Sequence, residues 1–179
     1  MNVKRLIKAY GVQYIDAVEE ADQLCGYLSS KENVYGCISD DMDMFMYDCN
    51  YVLRHLSLLN HTVVVYDRKK ICNNLNVNID DLQDILLTVG NDYNLSNNYN
   101  VNQAFEKYKT YSRDCKNSNC YLEYLKLIDK NIDIENIYKL KKLLNSLKNK
   151  NISIKNKNIF IIKDEMKELL EPYGFCWCK

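Results

Sequence analysis

Three groups of carboxylates carry the chemistry this sequence could do. Glu19, Glu20 and Asp22 stand together, Asp40, Asp41 and Asp43 form a second group, and Asp92 stands apart. Hard divalent cations take oxygen ligands, and phosphodiester hydrolysis between two such ions needs several carboxylates around centres about 4 Å apart. Each group also has an ordinary explanation. Acids at a helix start are caps and dipole partners, and an Asp-x-Asp after a strand is, in isolation, a solvated turn. An EF-hand is excluded, because Asp41-Met42-Asp43 runs into Met44-Phe45-Met46 without the required glycine or closing glutamate. Composition and spacing reach an acidic edge and no further.

The elements that must position these acids are legible from hydrophobic period. Val3, Leu6, Ile7 and Tyr10 recur at helical spacing and Gly11 closes them; residues 12–15 alternate like a short strand. Residues 19–30 predict a helix with Leu24, Cys25 and Leu28 on one face. Residues 34–39, 51–56 and 62–66 read as strands. Residues 79–89 give the clearest helix: Asn78 caps it, Asp80 and Asp81 suit its positive end, and Gly90 stops it. Beyond Asn100 the pattern predicts helices at about 101–112, 119–128 and 135–147. A basic, linker-like run at 148–157, a short hairpin (152–154 with 159–162) and a helix to about Leu170 follow. Strands alternating with helices predict an α/β fold with a largely parallel sheet, followed by a mostly helical C-terminal region. In such a sheet the first two acidic groups emerge beyond the carboxyl ends of the strands, on one edge.

Charge adds little direction. Lys+Arg and Asp+Glu are 24 each, so any contact with nucleic acid must come from a local basic patch. The 15 Tyr and the Asn- and Lys-rich second half read as the bias of an AT-rich coding sequence. No run approaches the roughly 18 apolar residues of a membrane span, and the first ten residues read as an amphipathic helix rather than a leader. Cys25, Cys37 and Cys72 fall on apolar positions, where a thiol packs as a small hydrophobe. Cys115/Cys120 and Cys176/Cys178 lack the C-x₂-C spacing of a zinc site, with only His55 and His61 to assist. The expectation is a reduced, intracellular protein without a membrane partner, its compartment (nucleus or cytoplasm) left open.

Read in order, three segments resemble the flap endonuclease/XPG family of structure-specific 5′ nucleases. "GVQYIDAVEEADQLCGYL" (residues 11–28) is similar to the family's helix carrying two metal-binding acids. "VYGCISDDMDMFMYDCNYVLRHLS" (residues 34–57) is similar to its acidic segment followed by an Arg-His-Leu strand. "DLQDILLTVGNDYN" (residues 81–94) looks like the segment that supplies a further Asp. The resemblance covers about residues 1–108. It implies a partial PIN-like domain whose metal ligands are Glu20, Asp22, Asp41, Asp43 and Asp92, with Asp41 and Asp43 as the catalytic pair. Asp22 stands where the family usually has Glu, one methylene shorter. Two Mg²⁺ ions are implied, with Mn²⁺ able to substitute, and the substrate implied is branched or 5′-ended DNA in replication or repair.

Two departures qualify this expectation. The family's N-terminal half, with its first acidic strand, is not in the sequence, so a separate polypeptide or an upstream reading frame is expected to supply it. After Asp92 the family has a helix–hairpin–helix-like element whose glycines approach DNA phosphate. Here Asn98-Tyr99-Asn100 takes that place, and Asn98, Asn100, Lys107 and Lys109 are the expected DNA contacts, with Arg113 as a further candidate. The expected organisation is 1–92 as the second half of the nuclease domain, 93–147 as a degenerate hairpin-bearing helical region, and 148–179 as linker, hairpin and terminal helix. Two other readings stay open: a non-catalytic interaction module of the same ancestry, and a PIN-like nuclease acting on RNA.

Overall fold

The structure is a computed structural model that describes residues 3–89, 99–114, 120–146 and 160–175. The chain divides into two compact units, one of Met1–Val18 with Ser153–Lys179 and one of Glu19–Ile152. The second unit therefore joins the sheet and the helices after residue 100 in one body, across the expected boundary at residue 92.

In the first unit, α1 (Val3–Ala9) ends at Gly11, whose φ of 77° is the left-handed geometry expected there. It pairs with α8 (Lys163–Leu170): the Ile162 amide donates to the Ala9 carbonyl at 2.8 Å, and Arg5 faces Glu165 at 3.6 Å. Residues 12–15, expected as a strand, form none; Lys4 instead holds Asp16 at 2.5 Å just beyond them. Most of the expected hairpin at 152–154 and 159–162 lies outside the described residues, and residues 160–162 are not a strand.

The larger unit holds a three-stranded sheet in the order β1-β2-β3, with β1 Cys37–Ile38, β2 Tyr51–Ser57 and β3 Thr62–Asp67. β1 pairs parallel to β2, but β2 and β3 form an antiparallel hairpin, so the sheet is mixed where alternation predicted a largely parallel one. Only a few residues separate β2 from β3, too few for a parallel crossover. Cys37, Val52 and Tyr66 lie in register across the strands on the core face, and Ile38, Leu53 and Val65 on the other. Just before β1, Gly36 runs close against β2: a Cβ there would stand 2.5 Å from the Tyr51 carbonyl oxygen.

Helices cover the core face. α2 (Ala21–Ser30) precedes the sheet, and α3 (Arg68–Leu75) follows β3 directly. Asp67 caps α3 by accepting from the Lys70 amide at 3.1 Å. α4 (Ile79–Thr88) starts as expected at Asn78, whose Oδ1 accepts from the Asp81 amide at 2.7 Å. It packs against α5 (Val101–Asp114), α6 (Tyr121–Ile128) and α7 (Ile134–Leu144). Ile85, Leu87, Tyr121, Leu122, Leu125 and Ile137 are fully buried between them. Much of the tyrosine content is structural: the rings of Tyr108, Tyr111, Tyr121 and Tyr124 pack at centroid distances of 5.3 to 5.8 Å across α5 and α6.

Candidate functional site

The second acidic group sits where β1 ends. The Ser39 amide extends the ladder to the Leu53 carbonyl, and then the chain turns into a 3-10 turn at Met42–Phe45. Asp41 caps that turn, its Oδ1 accepting from the Asp43 amide at 2.8 Å. This brings Asp41 and Asp43 together and puts one oxygen of Asp41 to structural use. The turn is fixed from beyond by Gln83 on α4, whose Nε2 donates to the Met46 carbonyl at 2.7 Å, and by Arg68, buried and 2.9 Å from Asp48.

Asp40, the member of the second group outside the implied ligand set, is an anchor. Its Oδ1 accepts from the His55 amide at 2.7 Å, and its carbonyl accepts from Arg54 Nη2 at 2.8 Å. Arg54 and His55 are the Arg-His pair of β2, and His55 is held at φ 55° where the β2–β3 register shifts. The pair clasps the start of the acidic turn to the neighbouring strand. Its signal in the sequence was the Arg-His-Leu string itself, with no sign of what it holds.

The first acidic group opens α2. Glu20 takes the N-cap position with extended backbone, yet its side chain makes no capping bond, and Asp22 lies in the first turn. Capping thus does not account for the Glu20 carboxylate. α2 reaches the acidic turn closely because residue 26 is glycine: a Cβ there would stand 2.5 Å from Tyr47 Cβ. Ser29 adds polar ties, accepting from the Asn50 amide through Oγ and from Asn50 Nδ2 through its carbonyl, both at 3.0 Å.

Oxygen-only donors suit a hard cation in type, but their arrangement does not complete a site. Among the described residues, no three of His, Cys, Asp or Glu gather closely enough to hold a metal ion. The pairs Glu20/Asp22 and Asp41/Asp43 therefore do not make a cation site by themselves, and Asp92 lies outside the described residues. Beside Asp43 opens an apolar cavity of about 450 Å³, lined among others by Met42, Phe45, Tyr66, Leu86 and Phe105.

The expected DNA contacts have local partners. Asn100 and Gln103 cap α5 reciprocally: the Gln103 amide donates to Asn100 Oδ1 at 2.9 Å, and the Asn100 amide donates to Gln103 Oε1 at 3.0 Å. Lys107 lies over the Tyr99 ring at 4.7 Å, and Lys109 pairs with Glu106 at 2.7 Å. Arg113 pairs with the adjacent Asp114 at 2.8 Å, and Asn98 lies outside the described residues.

The cysteines depart from expectation more than the acids do. Cys37 and Cys72 are buried as foreseen, but Cys25 is exposed, and the Cys37 thiol hydrogen-bonds to both Cys25 and Cys49. These bonds, and burial after them, raise the Cys37 pKa, so this thiol keeps its proton. Its bond lowers Cys25 to about 7 or Cys49 to about 6, one at a time, because Cys37 has a single S–H to donate. The Cys49 thiol also donates to the Tyr51 carbonyl at 3.1 Å.

The larger unit is thus mixed α/β, with one acidic pair at the end of a strand and another at the start of a helix. Comparisons with known proteins show what this arrangement is similar to. The family model of the XPG I-region matches residues 11–92, so this segment is similar to the flap endonuclease/XPG family. Flap endonuclease 1 of Methanococcus aeolicus is 29% identical over 147 residues, which are 82% of this chain and 43% of that relative. The solved flap endonuclease-1 of Methanococcus jannaschii superposes with a TM-score of 0.70 at 20% identity, covering 96% of this chain and 51% of that one. Human GEN1, solved in complex with Holliday junction DNA, gives a TM-score of 0.70 at 18% identity over 96% of this chain and 47% of that one. At these identities the structural likeness speaks for the fold. The chain spans less than half the length of the curated relatives it matches. Among the described residues no helix is long and apolar enough to cross a membrane.

Proposed function

We propose that this chain is the part of a flap-endonuclease-type nuclease that carries one side of its acidic centre. Its substrate would be branched or 5′-ended DNA, in replication or repair. The I-region match carries the reading, because residues 11–92 contain Glu20, Asp22, Asp41, Asp43 and Asp92 together. Asp41 and Asp43, braced on a turn fixed by Arg54, Gln83 and Arg68, are the residues assigned to the reacting phosphate. Glu20, Asp22 and Asp92 are the flanking acids. Mg²⁺ is the cation such a set favours, with Mn²⁺ as substitute. Since the described acids do not complete an ion site, further carboxylates from a separate polypeptide or another part of the protein belong to the proposal. Lys107 and Lys109 on α5, with Asn98 and Asn100 before it, are the residues offered to the DNA backbone. Phosphate would compete there with Glu106 for Lys109.

The lack of a three-carboxylate group among the described residues favours one other reading, a nuclease-like module that binds nucleic acid or protein without cleaving. A labelled 5′-flap duplex incubated with the chain and Mg²⁺ or Mn²⁺, beside Asp41→Asn/Asp43→Asn, tests both. Metal-dependent thermal stabilisation that the double variant loses supports the nuclease reading, whether or not the chain alone cleaves. Neither stabilisation nor cleavage in the wild type refutes metal chemistry here and leaves the binding module.

A further inference from the structure

Two buried glutamines, Gln23 on α2 and Gln83 on α4, converge on the C-terminal end of α7. The last carbonyls of a helix have no partner within it and need donors from outside. Gln23 supplies one: its Nε2 donates to the Leu143 carbonyl at 2.5 Å and lies 3.1 Å from the Leu144 carbonyl and 3.0 Å from the Ser146 hydroxyl. Asn145, the C-cap of α7, passes the contact on, its Nδ2 donating to Gln83 Oε1 at 3.3 Å. Gln83 Nε2 in turn donates to the Met46 carbonyl at 2.7 Å, so both ends of that amide are used. One helix turn earlier, Lys141 seats α7 on α4 through Asp84 at 2.6 Å. The path starts beside Asp22 and ends on Met46, whose amide donates to the Asp43 carbonyl at 2.9 Å. The family match stops at residue 92, so this link comes from beyond it.

We propose that the end of α7 is a brace that sets the first acidic group against the second, with Gln23 and Gln83 as its positioning residues. A buried amide costs free energy unless its bonds are made, so each glutamine fixes the spacing and orientation of the segments it joins. The path is directional. Gln83 donates to Met46 while its oxygen faces Asn145, and turning the amide over would set an oxygen against the Met46 carbonyl. A shift of the end of α7 is therefore felt at the 42–46 turn, and a shift of that turn is felt at α2. That the acids are what the brace positions rests on the proposed function; the bonds themselves do not.

Native-state amide exchange of the full chain, followed by NMR without metal or DNA, tests the brace. Two amides report: Leu24, bonded to the Glu20 carbonyl at 3.3 Å, and Met46, bonded to the Asp43 carbonyl. Asn145→Ala touches neither acidic segment, yet should speed exchange at Met46 by about 2- to 10-fold, the scale of one lost neutral hydrogen bond. Asn145 is half-buried at a helix end, so its truncation spares the core. Gln23→Met should speed exchange at Leu24 and, across α7, at Met46 as well. In a Gln83→Met background neither change should add anything at Met46, because the link is already cut. Asn100→Ala, which loosens α5 elsewhere in the same unit, should leave both amides as they were. Effects confined to the substituted segment overturn the proposal. So does a Met46 response that persists in Gln83→Met or appears equally in Asn100→Ala. Since neither metal nor DNA is present, failure here is separate from failure of the nuclease reading.

Discussion

Lys141→Met tests how the helices after residue 100 are held to the sheet-bearing part of the larger unit. Lys141 on α7 reaches Asp84 on α4 at 2.6 Å, and the Asp84 side chain is only 4% exposed. Burial raises the Asp84 pKa, and the hydrogen bond and charge of Lys141 oppose that rise. Methionine keeps the aliphatic stem and removes the countercharge, leaving a buried carboxylate unpaired. Breaking a buried pair from one side costs about 3–5 kcal/mol, and the part-exposed Lys141 places this one near 3. For a chain of this size each kcal/mol moves the melting temperature by about 2–4 °C, so a fall of roughly 6–12 °C is expected. The sign with pH follows from linkage. A carboxyl whose folded pKa is raised contributes most stability when protonated, below its unfolded value of 3.8, and loses it as pH rises through the folded pKa. Without Lys141 that folded pKa climbs further, so the deficit should be largest at neutral pH and shrink in acid. Urea unfolding followed by circular dichroism at both pH values measures it, and Lys141→Met/Asp84→Leu should recover most of the loss. A neutral-pH deficit below about 1 kcal/mol, the scale of a surface pair, would refute the reasoning. So would a deficit indifferent to pH.

Three further outcomes are expected. Gly26→Ala should destabilise by about 0–2 kcal/mol, because overpacking against Tyr47 exceeds the roughly 1 kcal/mol gained in helix propensity. A gain in urea midpoint would show that α2 does not approach the 42–49 segment as closely as described. Asn100→Ala should cost about 1 kcal/mol and speed amide exchange at the start of α5, and unchanged protection at Gln103 would contradict the reciprocal cap. Alkylation of Cys25 by iodoacetamide should rise with pH through a midpoint near 7, with Asp22, Cys37 and Cys49 as the groups acting on it. A midpoint at the ordinary thiol value of 9.0 would remove the role given to Cys37.

Most helices were legible because an amphipathic stripe is written locally, as in α4 with its Asn78 cap. α3 was not read: Arg68–Leu75 is polar apart from Ile71, Cys72 and Leu75, and its cap, Asp67, looks like the end of a strand. The antiparallel β2–β3 hairpin was missed for a related reason. Leu58 and Leu59, 77% and 94% exposed, sit in a connection where Gly or Asp would have announced a turn. At the site, the Asp41-x-Asp43 spacing was visible because the chain turns there through local bonds. The clasp of Asp40 by Arg54 and His55 depends on strand register, which no local pattern records. The cysteine cluster draws on three segments whose spacing obeys no motif, so only the fold could assemble it.

The pairing of α1 with α8 has a consequence in time. About 150 residues separate the two partners, and a ribosome adding about 5–20 residues per second needs roughly 8–30 s to cross that interval. A helix of seven residues is too short to persist alone in water. During synthesis the segment Val3–Ala9 therefore emerges well before its partner yet orders only once α8 has been made. The larger unit, whose residues run continuously from Glu19 to Ile152, can condense while its companion is still waiting for its second strand of sequence.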